Sequence, residues 1–159
     1  MKGLLLSAPM VRAFREGRKT CTRRLIPAKL LQYAEFDGKD WWYEDHNGDH
    51  HPLTDYCRYR PGETVFIHAR FMPERFARDH AVITDVRAER LQEITEAEAV
   101  AEGLISTAIL TPEGDDYTGL YASDQFPALW ESIHGPGSWD ANPWVWVLTL
   151  ADVPATGTE

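Results

Sequence analysis

The sequence predicts an α+β fold, a small mixed or antiparallel β-barrel with peripheral helices. Strand-like runs at residues 64–71, 81–91 and 144–150 are spread along the chain, and the last is apolar on both alternating faces. Helix signals fall near the start and again between residues 95 and 135. Strand and helix do not alternate steadily, which disfavours a doubly wound α/β sheet.

A chain of 159 residues with 43% apolar content is expected to form one domain over residues 1–152, and it is too apolar to be disordered. The formal charge of -9 argues against a sequence-independent binder of duplex DNA, which needs surplus Lys and Arg to neutralise phosphates. It leaves room for single-stranded RNA or a modified nucleoside held in a local basic cleft, and for a host protein met through the acidic surface. Cys21 and Cys57 are too few for a disulfide framework or a structural metal site, so no metal or other cofactor is expected. The opening run Leu4-Leu5-Leu6 is too short for a signal peptide or a membrane span. A cytoplasmic protein without a membrane partner is expected, and the oligomeric state is left open.

Residues 3–6 suit an edge or early strand. Ser7 then stands as an N-cap, Pro9 falls in the first turn, and Met10, Val11 and Phe14 form a helical stripe ending at Gly17. The β-branched content of residues 20–26, followed by Pro27, favours a strand. Residues 28–58 read as a variable insertion containing a hairpin, because Asn47-Gly48 lies between Trp41-Trp42-Tyr43 and His50-His51. His46, His50 and His51 lack metal-ligand spacing and read as surface histidines. Alternation over 64–71 places Val65, Ile67, Ala69 and Phe71 on one face, with Thr64, Phe66, His68 and Arg70 on a cleft-lining face. Over 81–91 it opposes Val82, Thr84, Val86 and Ala88 to Ile83, Asp85 and Arg87.

Thr95 and Glu98 form a capping-box pattern, and Gly103 stops that helix. Its wheel turns Ala97, Val100, Ala101 and Leu104 inward and leaves Glu96, Glu98 and Glu102 on the flanks or outside. Residues 105–123 read as a loop. Asp124 is placed to cap a helix with Phe126, Leu129, Trp130 and Ile133 inward, ending near Gly135. Residues 144–150 read as a central strand, and the tail 153–159 is expected to fray.

The chemistry concentrates in Gly17-Arg18-Lys19-Thr20-Cys21-Thr22-Arg23-Arg24. Gly17 permits the left-handed turn that ends the first helix, and four cations then follow within seven residues. They repel unless an anion or carboxylates sit among them. Such a turn reads equally as solvated or as a ligand site. Crowding by arginines favours a neutral Lys19 able to act as a base toward Thr20, Thr22 or Cys21. A Cys21/His68 nucleophile pair is a further option, against a plain buried thiol. Pattern alone makes Glu102 a solvated carboxylate.

Gly17, Lys19 and Arg24 together resemble the signature of the ASCH domain, a PUA-like β-barrel family. The likeness is greatest to small ASCH proteins of phages and prophages. It runs through Ser7-Ala8-Pro9-Met10, Tyr59-Arg60-Pro61-Gly62-Glu63, Thr84-Asp85-Val86-Arg87, Ile94-Thr95-Glu96, Ala101-Glu102-Gly103, Leu129-Trp130-Glu131 and Trp139 to Val147. One bacterial branch hydrolyses the amide of acetylcytidine. By that resemblance Lys19 is the base, Thr22 the nucleophile, and Glu102 orients the lysine or carries its proton. Arg24, Arg23, Phe66, His68 and Arg70 would then bind the ligand. The resemblance equally admits a non-catalytic or weakly nucleolytic RNA-binding module, with Arg70 and Arg87 on the strand and Trp41 or Phe66 stacking on bases. This chain is longer than that enzyme. It also reads Phe66-Ile67-His68-Ala69 where the phage proteins carry a Trp-Val-Arg-Glu-like strand.

Overall fold

Strand β10 (Trp144–Asp152) is the spine of the main sheet, and its alternating apolar residues are buried on both faces. The computed structural model describes residues 1–70, 79–107, 109, 110, 117, 118 and 120–153. The sheet runs β1 (Lys2–Leu6), β6 (Thr64–Ala69), β7 (Asp79–Arg90), β10, β2 (Cys21–Leu25). Only β1 and β6 pair in parallel, with Leu4 beside Ile67, and the other three ladders are antiparallel. The α+β class is therefore as expected.

The barrel is not. β1 and β2 are edge strands with no ladder between them among the described residues, so the sheet stays open. The two edges still approach one another, since Arg24 Nη2 of β2 donates to Leu5 O of β1 at 2.6 Å. Where a closing ladder would run there is a side-chain contact instead, and a cavity whose walls come from both edges.

Two apolar layers flank the sheet. On one side Leu4, Ile67, Ile83 and Leu148 meet Val11 and Phe14 of α1 (Ala8–Arg15) and Leu53 of the 3₁₀ turn Leu53–Tyr56. On the other side Val145, Val147 and Leu91 meet Ala99 of α3 (Glu96–Ala101) and Phe126 and Trp130 of α4 (Ala122–His134). Each such fully buried aliphatic side chain contributes ~1.5–3 kcal/mol of transfer free energy.

The alternation in β6 holds, with Val65, Ile67 and Ala69 buried and Thr64, Phe66 and His68 half-buried; Phe71 lies outside the described residues. The alternation read for β7 fails at one point. Thr149 faces Asp85 but Leu150 faces Ile83, so Thr84 is an extra residue on β7. The bulge switches the buried face, with Ala81 and Ile83 inside before it and Val86 after it.

α3 is rotated from its expected orientation. Thr95 caps it, accepting from Glu98 N at 3.2 Å, but Ala97 and Val100 face solvent while Ala99 and Glu102 are buried. The reciprocal half of the capping box is missing because the Glu98 carboxylate pairs with Arg23 and Arg87. Electrostatic pairing outweighs the small apolar gain from Ala97 and Val100. α4 is capped by Glu96, whose carboxylate accepts from Ala122 N at 2.8 Å and Ser123 N at 2.7 Å, rather than by Asp124. Ile133, expected inside, is 62% exposed.

The insertion folds as α2 (Ala28–Leu31) and a three-stranded sheet of β3 (Ala34–Phe36), β4 (Trp41–Glu44) and β5 (His50–Pro52). Its hairpin turns at the expected Asn47-Gly48, with Asp45 Oδ1 accepting from Asn47 N and Asp49 N. Trp41 packs edge-on to Trp144 at 5.3 Å, which ties this sheet to the spine. Within 105–123, read as a loop, β8 (Ile109–Leu110) and β9 (Tyr117–Thr118) pair, and part of that stretch lies outside the described residues, as do residues 154–159. Among the described residues no helix is long and apolar enough to cross a membrane.

Candidate functional site

Gly17 adopts φ +76°, as the turn requires, and Arg18 N and Lys19 N both donate back to Ala13 O. The chain therefore leaves α1 with Lys19 directed toward the end of α3. Gly103 completes the approach from the other side. It sits at φ +109°, where an added Cβ would lie 2.9 Å from Met10 Sδ and 3.0 Å from Ala13 Cβ. Only glycine lets α3 end this close to α1.

Across that contact Lys19 Nζ donates to Cys21 O at 2.7 Å, Glu102 O at 2.9 Å and Glu102 Oε2 at 3.1 Å. Three acceptors match the three donors of an ammonium. Glu102 Oε1 accepts from Arg23 Nη1 at 3.0 Å, so one buried carboxylate joins both cations. Arg23 Nη2 reaches Glu89 at 2.7 Å and also Glu98, while Arg87 binds the same two glutamates. Lys19, Arg23 and Arg87 thus face Glu89, Glu98 and Glu102, a charge-balanced cluster. Arg23 Nε has no acceptor among the described residues.

The cationic turn resolves by having carboxylates among its charges. Arg18 pairs with Glu16 and donates to Gly103 O at 2.8 Å. Glu102, which the helical pattern left in solvent, is 5% exposed. Burial acts to lower the proton affinity of Arg23, but Glu102 and Glu89 outweigh it and hold the guanidinium charged.

Lys19, Arg23 and Glu102 of this cluster stand on the wall of a cavity of about 700 Å³. Lys19, Thr22 and Glu102 all line it, and so do Arg23 and Arg24. Phe66, His68 and Arg70 line it as well. The Phe66 and His68 rings lie 5.2 Å apart over Gly3, where an added Cβ would be 2.7 Å from Phe66 Cζ and 2.9 Å from His68 Nε2. Thr22 is almost wholly buried, and its hydroxyl makes no hydrogen bond among the described residues.

Sequence reasoning missed Gly3, Arg58, Tyr59, Trp130 and His134 on the cavity wall. Tyr59 donates to Gly3 O at 3.0 Å, and Arg58 lies 5.6 Å over the Tyr59 ring. His134 stacks on Trp130 at 3.9 Å, and burial, with Arg24 nearby, lowers its proton affinity. Tyr59 and Trp130 sit within motifs that were singled out, Trp130 as a core residue. Gly3, Arg58 and His134 carried no local signal, because only the fold brings them to the seam.

Two options fall away. Arg87 is engaged by Glu89 and Glu98, and Trp41 packs with Phe36 and Trp144 away from the cavity, so neither offers a strand-binding surface there. Cys21 is absent from the cavity wall that His68 lines, and its thiol lies 3.7 Å from Glu98 O and from Arg23. Burial pushes that thiol up to about 12, and Glu102 adds to the effect. Burial raises Cys57 as well. Native protein is therefore expected to leave both thiols unmodified by dithiobis-nitrobenzoate at pH 8 over minutes, with both reacting in guanidinium. Rapid labelling of Cys21 in native protein would contradict this.

His51 pairs with Asp45 at 2.9 Å, and among the described residues no three His, Cys, Asp or Glu side chains gather to hold a metal ion. No family model, no curated protein and no solved structure matches this chain.

Proposed function

We propose that this is an ASCH-type, PUA-like protein whose cavity hydrolyses the exocyclic amide of an acylated cytosine nucleoside. One observation carries the reading. The Lys19 Nζ–Glu102 Oε2 contact of 3.1 Å is buried in the wall of a nucleoside-sized cavity that also holds the unengaged Thr22 hydroxyl. The sheet whose edges meet through Arg24 and Leu5 supports the fold part of the proposal.

In this reading Lys19 first passes a proton to Glu102 Oε2, because its resting contacts occupy all three donors. Thr22 Oγ1 attacks the amide carbonyl carbon as its own proton moves to the free amine. The tetrahedral adduct expels the exocyclic nitrogen, which takes that proton, and an acetyl ester remains on Thr22. Water cleaves the ester, one of its protons going to the threonine oxygen and the other leaving with the acetic acid, and Glu102 returns its proton to Lys19. Arg23 holds Glu102 so that Oε2 faces the lysine, and Arg24 on the cavity wall holds the substrate.

The second reading is a pocket that binds single-stranded RNA without catalysis. It is favoured by the complete engagement of Lys19, which leaves no proton acceptor free in the resting state. Chromatography of acetylcytidine incubated with the protein separates the two. Cytidine released in proportion to enzyme is expected. No release at high enzyme concentration, together with salt-sensitive binding of short RNA, would move the assignment to the second reading.

A further inference from the structure

We propose that Arg24 and Arg58 form an anion subsite within this cavity, so that the ligand is a nucleoside phosphate rather than a free nucleoside. The inference rests on the reading above only for the choice of base.

The chain carries a formal charge of -9, yet the one carboxylate on the described cavity wall is Glu102, already neutralised by Lys19 and Arg23. An acidic protein has kept its surplus negative charge out of this space. Arg24 and Arg58 differ from Lys19 and Arg23. Neither has a carboxylate partner among the described residues. Arg24 spends one of its donors on Leu5 O, at 2.6 Å, and burial lowers its proton affinity by more than Tyr59 and Glu102 restore. A half-buried guanidinium in that condition gains from an anion that accepts its remaining N–H groups. Arg58 is exposed at the rim and lies over the Tyr59 ring, whose hydroxyl is fixed by Gly3 O. Phe66 and His68 supply ring faces in the same cavity, so a base and an anionic group have separate places to go. The volume of about 700 Å³ holds both.

Calorimetric titration of the full chain with cytidine, cytidine 5′-monophosphate and inorganic phosphate, at low ionic strength, tests this. The monophosphate is expected to bind about tenfold or more tightly than the nucleoside. Inorganic phosphate should compete with it. Arg24→Gln and Arg58→Gln should each reduce that advantage, and Arg58→Gln alters only an exposed side chain, so it keeps the test valid if Arg24→Gln folds poorly. Equal affinity for nucleoside and monophosphate, an unchanged advantage in Arg58→Gln, or no binding of any of the three would overturn the proposal. A short oligonucleotide with a 5′-phosphate distinguishes a strand end from a free nucleotide. Acetylcytidine cleaved with no preference for the phosphorylated form sinks this inference alone. Arginine-dependent phosphate binding without any cleavage sinks the hydrolase reading alone.

Discussion

An Arg23→Met variant is expected to lose about 3–5 kcal/mol of folding stability, measured by urea denaturation, because Glu89, Glu98 and buried Glu102 are then balanced by only Lys19 and Arg87, leaving one negative charge uncompensated in the cluster. Arg23 is the hub of the cluster: its side chain is 0% exposed and it contacts Glu89, Glu98 and Glu102. Methionine fills similar volume, so the loss measures charge rather than a cavity. The acid dependence should change with it. Burial alone would raise the Glu89 pKa, but hydrogen bonds from Arg23 and Arg87 outweigh it and hold the carboxyl below its ordinary value of 4.5. A depressed folded pKa contributes stability above the unfolded value, and that contribution is lost as pH falls through the folded one. In Arg23→Met this contribution shrinks, so the variant should lose less further stability than wild type between neutral pH and the acid limb. A variant as stable as wild type would show that the cluster does not organise α3.

The same cluster marks the limit of what the sequence conveyed. Local signals were sufficient for Gly17, for the Asn47-Gly48 hairpin, for the two faces of β6 and for the buried spine at 144–150. Each depends on residues within one turn or one strand. The orientation of α3 does not. Its alanines and valine form a plausible inward face, and only the presence of Arg23 and Arg87 across the packing interface turns the glutamates in. The β7 bulge at Thr84 is likewise a property of the β7–β10 register rather than of either strand. Of the site, resemblance nominated Lys19, Thr22 and Glu102, and helical pattern alone had left Glu102 in solvent. Arg58 and His134 reach the cavity only because β1 and β2 remain unpaired, and no short-range pattern encodes an open seam.

The second large effect concerns activity. Lys19→Met and Glu102→Gln are each expected to lower turnover of acetylcytidine by about 10²–10⁴-fold, the span of a general acid–base contribution. The two losses should not add, because the lysine and the carboxylate act on one proton. Both variants also disturb a buried ion pair, so a fall in activity alone does not separate catalysis from folding. Thr22 provides the cleaner comparison. Its hydroxyl makes no hydrogen bond among the described residues, so Thr22→Val should fold with stability close to wild type and yet lose turnover. Thr22→Ser, which keeps the hydroxyl, should retain much of it. Full activity in Thr22→Val would assign the attack to water and leave the threonine as packing.

The most direct measurement is intact-protein mass spectrometry of a reaction with acetylcytidine, quenched in acid and followed by peptide mapping. The account predicts one acetyl group on Thr22 during turnover, none in Thr22→Val, and cytidine released alongside it. Cytidine released at the wild-type rate by Thr22→Val, or a protein that never releases cytidine at all, would contradict it.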